Sequence, residues 1–170
     1  TSVAAIAATP FAPPPAAAPG LNSTLAEIGC AARLVFVNGR YSEDLSTVNA
    51  PAGITAGSMA RLWAQRGSLL ESHLARYARF DEHAFVALNT ALAEDGALVA
   101  IERGAVVEEP VLIVHLAAPG AAPAAIHPRN LILAGRGSQA SAVELYLGPE
   151  GQTYFTNAVS EVVVSEETVL

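Results

Sequence analysis

From Ala97 to the C-terminus, the sequence is a succession of short apolar runs separated by glycine, proline and asparagine. The runs are rich in β-branched and aromatic residues, which favour β-strands. They are ALVAI (97–101), PVLIVHL (110–116), RNLILAG (129–135), SAVELYLG (141–148) and YFTNAVSEVVV (154–164). Short strands at a spacing near ten residues are typical of a β-sandwich or barrel. This half of the chain is therefore predicted to be mainly β-structure.

A second period is also present in these runs. The apolar residues at 111–114 recur from 131, and those from 142 recur from 162, about twenty residues on in each case. A repeat of that length with two strands favours a flattened parallel β-solenoid. The run 154–164 would then pair with 141–148, about one coil away. The pattern alone leaves the sandwich and the solenoid equally open.

The first part of the chain has a different composition and spacing of apolar residues. Residues 1–24 are rich in proline and alanine and predict an extended connector. Asn38-Gly39, between two short apolar runs, is the strongest local signal for a β-hairpin.

Residues 58–93 have apolar side chains at helical spacing and predict two or three short helices. Ser68 and Glu71 have the form of a capping box, Asp81 is a candidate N-cap, and Gly96 stands where a helix would end. The last helix carries apolar residues three and four positions apart: Phe85, Leu88 and Leu92.

Composition excludes several classes of function. Of the 170 residues, 52% are hydrophobic and 15% charged, which gives ample material for a core. All nine basic residues are arginine and form no cluster, and the net charge is −7, so a nucleic-acid-binding surface is not predicted. The apolar stretch 111–126 contains a histidine, a glycine and two prolines, and is shorter than the roughly 20 residues of a membrane span.

Cys30 is the only cysteine, so an internal disulfide or a cysteine-based zinc site is not possible within this sequence. We interpret it as a small, half-buried residue, with a reactive thiol or a cluster ligand as the alternative. The low cysteine content suits a reducing cytoplasm. The first nineteen residues contain five prolines and no basic segment, which does not fit a signal peptide.

Several longer stretches carry a family resemblance that runs from Leu34 to the C-terminus. They are LVFVNGRYSEDLS (34–46), ALNTA with the following DG (87–96), HPRNLI (127–132) and YFTNAVSEVVV (154–164). Together they resemble the SufB/SufD family of iron–sulfur cluster assembly proteins, and SufD more than SufB.

The resemblance implies a helical N-terminal region followed by a right-handed parallel β-helix core, which favours the solenoid over the sandwich. It also implies a non-catalytic scaffold that pairs with SufB and with the ATPase SufC. Such a scaffold builds iron–sulfur clusters from sulfur delivered by a cysteine desulfurase, with SufD linked to iron supply. On this basis we expect a cytoplasmic protein in which this chain binds no cofactor itself, although the whole complex handles clusters.

Compared with the family, the chain begins late, within the N-terminal segment, and ends early, within a continuing coil, so it resembles an internal fragment. We expect three parts: a connector (1–24), a small α+β region (25–95), and the first coils of a truncated β-helix (96–170). The cluster-assembly residues and the SufC contact are expected beyond Leu170, so none is assigned here. The open coil near Leu170 should promote self-association or low stability, which a monodisperse and thermally robust monomer would contradict.

His115 and His127 are the candidate metal ligands, because histidine is the commonest metal ligand and a coil could bring them together. His115 lies within an apolar run, however, and His127 precedes a proline at a strand start. Both therefore fit structural histidines better, and no metal site is predicted.

The paired acidic residues Glu108-Glu109 and Glu166-Glu167 raise an enzymatic alternative, a β-solenoid carbohydrate-active enzyme with two catalytic carboxylates. Adjacent residues on a strand point to opposite faces, so these pairs are better interpreted as solvated turn charges. A generic β-rich binding module is the other alternative.

Two further features are assigned structural roles. The segment 135–140 lacks the lysine and the following helix of a phosphate-binding loop, and Ser138 has no evident catalytic partner, so it is predicted to be a turn. Asn130 and Asn157 are predicted to bond backbone groups at corners between coils, with an interface role as the alternative.

Overall fold

The computed structural model describes residues 3–15, 28–118, 120 and 122–170 of the protein. Part of the predicted connector, residues 1–2 and 16–24, lies outside this range, while Val3–Ala8 forms a short helix. The helices among the described residues are α1 (Val3–Ala8), α2 (Met59–His73) and α3 (Ala84–Leu92). The fold is mainly β with few helices, as predicted.

Within the described ranges, the strands belong to two four-stranded sheets and one two-stranded sheet. They are β1 (Ala32–Val37), β2 (Arg40–Tyr41), β3 (Ile54–Ser58), β4 (Ala97–Ile101), β5 (Val111–Leu116), β6 (Ala124–Ile126), β7 (Arg129–Ala134), β8 (Ala142–Leu147), β9 (Tyr154–Thr156) and β10 (Val159–Val164). The order is β2-β1-β5-β8 in the first sheet, β10-β7-β4-β3 in the second and β6-β9 in the third.

Both large sheets are mixed. The pairs β1–β2 and β3–β4 are antiparallel, and the other pairs are parallel. The predicted hairpin at Asn38-Gly39 is confirmed, with φ of 52° and 82° at its two central residues. The Asn38 side chain holds the turn in place, because it accepts a hydrogen bond from Ala118 N and donates one to the Ala118 carbonyl.

From β4 onwards, parallel partners lie about thirty residues apart in all three sheets. Val111 is opposite Ala142, Ala124 is opposite Tyr154 and Arg129 is opposite Val159. The chain thus visits the three sheets in turn and returns to each one strand further along. These crossings require connections long enough to pass from one sheet to another.

The predicted period of about twenty residues is wrong. It equated β5 with β7 and β8 with β10, which lie in different sheets. The predicted pairing of 154–164 with 141–148 is also wrong: this run forms two strands, of which β9 pairs with β6 and β10 with β7. The period failed because β6 and β9 have three residues each, too few for an apolar pattern to reveal a third strand.

The main core lies between the two large sheets. It contains Leu34, Phe36, Val99, Val111, Ile113 and Ile132, all at most 4% exposed. Alternate residues of β4 and β7 point the other way and pack beneath α2, where Leu98 and Leu131 meet Met59 and Leu70. One helix therefore covers the outer face of the second sheet.

The helices agree with the predicted region, but their caps differ. Ser58 is the N-cap of α2: its hydroxyl accepts from Arg61 N at 3.2 Å and donates to Asp95. The capping position predicted at Ser68 is wrong, since this residue lies inside α2 just beyond a kink at Arg66.

The N-cap predicted at Asp81 is wrong too. The N-cap of α3 is His83, which makes no capping side-chain bond, and Asp81 instead binds Arg79. The helix ends at Leu92, before Gly96, and Gly96 begins the approach to β4.

The same turn recurs after β4, β7 and β10, which are neighbouring strands of the second sheet. Gly104, Gly137 and Glu167 all have left-handed backbone conformations, with φ of 70°, 70° and 59°. Gly104 N donates to the Arg136 carbonyl and Gly137 N to the Glu166 carbonyl, so the three turns lie one upon another. The segment 135–140 is part of this stack, as the predicted turn requires.

Candidate functional site

Three rings are stacked on the inner face of the first sheet. Phe36, His115 and Tyr146 occupy matching positions in β1, β5 and β8. The His115 ring centroid lies 5.3 Å from that of Phe36 and 5.1 Å from that of Tyr146, with the planes nearly parallel. Along the sheet, the apolar ring of Phe36 is therefore followed by the increasingly polar environment of His115 and Tyr146.

Asn130, on β7, is the centre of the polar side chains. Its Oδ1 accepts from Ala97 N at 3.0 Å, which fixes the orientation of the amide. The two amide protons can then reach His115 Nε2 at 3.1 Å and Ser160 Oγ at 3.2 Å. Every hydrogen-bonding group of this fully buried side chain is thereby used. Asn130 was predicted to bond backbone at a corner between coils; it does bond a backbone group, Ala97 N, but it lies within β7 and not at a corner.

Glu144, on β8, is the last acceptor in this series of hydrogen bonds. Ser160 Oγ donates to its Oε1 and the Tyr146 hydroxyl to its Oε2, both at 2.6 Å. Burial, together with the bond to Glu144, raises the pKa of Tyr146. We call the set formed by His115, Asn130, Ser160, Glu144 and Tyr146 the inner polar chain.

The inner polar chain fixes the tautomer of His115. Because Asn130 donates to Nε2, the neutral ring carries its proton on Nδ1, which is buried and lacks a partner among the described residues. Burial lowers the pKa of His115 to about 4. The ring is therefore neutral at neutral pH and acts as a structural acceptor rather than a general acid.

His115 should make the protein sensitive to mild acid. The folded state keeps the ring neutral down to pH about 4, whereas the unfolded chain takes up a proton near pH 6.5. The contribution of His115 to the free energy of unfolding is therefore fully present above pH 6.5. It decreases as the pH falls towards 4, by at most about 3 kcal/mol. We expect His115→Phe, which keeps a ring in the stack, to lose much of this dependence in urea unfolding at pH 7 and pH 4.5.

The control for this experiment is His83→Gln, at an exposed residue that makes no capping bond. It should retain the acid sensitivity of the parent. Equal pH dependence in the parent and in His115→Phe would show that His115 is not the group responsible.

A second network, which is buried, joins the helical region to the sheets. Glu161, on β10, accepts from Ala75 N, Tyr77 N and Ala78 N at 2.8–2.9 Å. Its Oε2 also lies 2.7 Å from Arg129 Nη2, in an ion pair whose side chains are 0% and 5% exposed. Burial acts to raise the pKa of Glu161, but the backbone donors and Arg129 outweigh it and leave the pKa below its usual value.

This network continues through α3. Arg129 donates to Asn89 Oδ1, and Asn89 Nδ2 donates to the carbonyls of Pro128 and Asn157, each at 2.8 Å. Asn157 Nδ2 in turn donates to the Phe85 carbonyl, so Asn157 does bond backbone, but in α3 and not in a neighbouring coil as predicted. Asn89 thus anchors α3 to the sheets, while Phe85, Leu88 and Leu92 of the same helix remain partly exposed.

His115 and His127 belong to separate networks. His115 bonds Asn130, whereas His127 Nδ1 faces Asn157 Nδ2 at 3.3 Å. The described residues contain no group of three or more histidine, cysteine or acidic side chains arranged to hold a metal.

The other sequence candidates remain scattered. Glu108 and Glu109 are exposed, and Glu166 and Glu167 form exposed ion pairs with Arg136. Cys30 is half buried and packs against the apolar cluster that contains Val35. Ser138 is fully buried, and its hydroxyl has no hydrogen-bond partner among the described residues. None of these lies in the inner polar chain.

Sequence reasoning missed Arg129, Glu161 and Glu144. The available signal was a charged residue inside an otherwise apolar run, as in VSEVVV (159–164) and VEL (143–145). Such residues are rarely buried without a partner, so each pointed to a contact elsewhere in the chain.

The geometry described so far can be compared with known proteins. A family model described as the SufBD protein N-terminal region matches residues 28–113, from the loop before β1 into β5. The chain belongs to the SufBD family. The match includes α2 and α3, whereas Asn130, Glu144 and Ser160 lie beyond it.

A curated relative extends the SufBD similarity. A protein of Synechocystis sp., described as an iron-sulfur cluster assembly SufBD family protein, is 32% identical over 143 residues. The aligned region covers 79% of this SufBD chain and 31% of the relative, so it spans about a third of that protein's length. Among the described residues, no helix combines the length and apolar character that crossing a membrane would require.

Proposed function

We propose that this SufBD chain is part of a scaffold for iron–sulfur cluster assembly, of the SufD rather than the SufB type. Membership of the family carries the proposal. In this proposal the chain works in the cytoplasm, pairs with SufB and with the ATPase SufC, is linked to iron supply, and performs no catalysis of its own. Clusters are then the cargo of the assembly rather than a cofactor bound by this chain.

We further propose that residues 96–170 are the first coils of a right-handed parallel β-helix. Parallel partners about thirty residues apart in three sheets support this arrangement. Right-handed crossover connections are strongly preferred between parallel strands, which supports the handedness. On β10, Val162 and Val164 are 48% and 50% exposed, which supports the expected self-association at this end.

The two hydrogen-bond networks suit a scaffold. The Glu161–Arg129 pair fixes the helical region to the sheets, and the inner polar chain fixes the spacing between them. Neither places an acid and a base around an open cleft, as glycoside hydrolysis would require.

Co-purification tests the proposal. The intact protein carrying this sequence should be isolated with SufB and SufC under anaerobic conditions, when the three are produced together. A variant with Val48→Glu, at an exposed loop residue, is the matched control and should associate equally. Failure of the parent to associate with either partner would defeat the proposal, and turnover of a polyuronate would favour the carbohydrate-active alternative.

A further inference from the structure

A cavity of about 440 Å³ lies between the N-terminal segment, α3 and the β6–β9 sheet. Its walls are mainly apolar. They include Phe11, Leu88, Leu92, Ala125 and Phe155, with His127 as a polar member. Volumes of 300–1,000 Å³ with mostly apolar walls and few polar groups are typical of small-molecule sites.

The neighbours of Phe155 give this cavity a fixed shape. Its ring centroid lies 5.8 Å from that of Phe11, 5.9 Å from that of Phe85 and 6.1 Å from that of His127. The N-terminal segment is held against the sheet by backbone bonds, since Ala12 N donates to the Pro123 carbonyl at 2.8 Å. The cavity therefore has walls from three parts of the chain.

The protonation of His127 follows from its neighbour. Asn157 Nδ2 must face the Phe85 carbonyl, because a carbonyl can only accept a hydrogen bond. The second proton of that amide points to His127 Nδ1, which is thus an acceptor. The neutral ring then carries its proton on Nε2, and burial lowers the pKa of His127, which favours this neutral form.

The Nε2–H group has no acceptor among the residues that the structure describes. His127 is 9% exposed, and its only hydrogen bond within the described part of the chain is the one at Nδ1. Nε2 is not among the fully buried atoms that lack partners, so it remains accessible. Since His127 lines the cavity, this donor is available to a molecule inside it.

The charges at the cavity favour a neutral molecule. Glu94 lies at its edge but is held by Arg40, with Nε and Oε2 2.6 Å apart. A charged ligand would lose its hydration without gaining a free counter-charge. A neutral carbonyl group would instead accept from Nε2 while the rest of the molecule filled the apolar space.

We propose that this cavity binds a small, neutral, apolar molecule that carries one carbonyl acceptor, such as an aromatic amide. His127 positions the carbonyl, and Leu88, Leu92 and Phe155 surround the apolar part. The proposal does not depend on the scaffold function, because it rests on this cavity alone.

Fluorine NMR titrations of the intact protein test the proposal with three probes. We expect 4-fluorobenzamide to bind about fivefold more tightly than 4-fluorotoluene, which lacks the acceptor. It should also bind more tightly than 4-fluorobenzoate, whose charge is not compensated. His127→Phe should remove the preference for the amide and leave weak binding of the toluene.

Leu92→Glu provides a second test that does not depend on a buried substitution, because Leu92 is 53% exposed. It should abolish binding of all three probes, whereas Val48→Glu, outside the cavity, should leave binding unchanged. Equal affinity for amide and toluene in the parent would overturn the proposal. So would an amide preference that survives His127→Phe, or binding that survives Leu92→Glu.

Discussion

Replacement of Glu161 by alanine is expected to lower the free energy of unfolding by about 3–5 kcal/mol. The change leaves the buried Arg129 guanidinium without its counter-ion and removes the acceptor of three backbone N–H groups. Urea unfolding at pH 7 measures the loss. Hydrogen exchange should also become faster at Ala75, Tyr77 and Ala78, because their amides lose the carboxylate.

Two further variants separate the contributions to this effect. Arg129→Met should cost less than Glu161→Ala, since the carboxylate keeps its three backbone donors. Glu43→Ala removes the carboxylate of an exposed ion pair with Arg61 and should change stability by no more than about 1 kcal/mol. A loss in Glu161→Ala no larger than that in Glu43→Ala would mean that the buried pair does not fix the helical region.

Replacement of Gly96 by alanine is expected to destabilise the protein by about 4 kcal/mol or more. A Cβ atom at this position would lie 1.5 Å from the Arg129 carbonyl oxygen and 2.9 Å from Arg129 N. The obstacle is backbone of the neighbouring strand, so no side-chain rotation can relieve it. The measurement is the thermal unfolding midpoint, together with the yield of folded protein.

Gly67→Ala is the matched control for this prediction. Gly67 lies within α2, and outside the backbone of that helix the nearest atom to an added Cβ is Trp63 Nε1 at 3.9 Å. Alanine is favoured over glycine inside a helix, so this variant should be more stable by up to about 1 kcal/mol. If both alanine variants were tolerated, the close approach at Gly96 would not constrain the fold.

Local signals in the sequence identified the local structure. Asn38-Gly39 specified the hairpin because its two left-handed residues suit only a few residue types. The helical spacing in 58–93 located α2 and α3, although their first residues were misassigned. Ser58 was overlooked as a cap because its carboxylate partner, Asp95, is far away in sequence.

The arrangement of the strands and the inner polar chain could not be predicted in the same way. Asn130 contacts groups contributed by β4, β5 and β10, and no pattern within β7 specifies those partners. The family resemblance supplied a type of fold but not the thirty-residue register. That register is set by packing between sheets, which a one-dimensional pattern does not contain.

The stacked turns at Gly104, Gly137 and Glu167 have a consequence for how such a chain can change in length. Removal of a single residue between two of these turns would shift a strand by one position and exchange its inward and outward side chains. Removal or duplication of a whole thirty-residue unit would preserve every pairing. The architecture is therefore modular, and we expect related chains to grow by complete units, with insertions of other lengths confined to the loops.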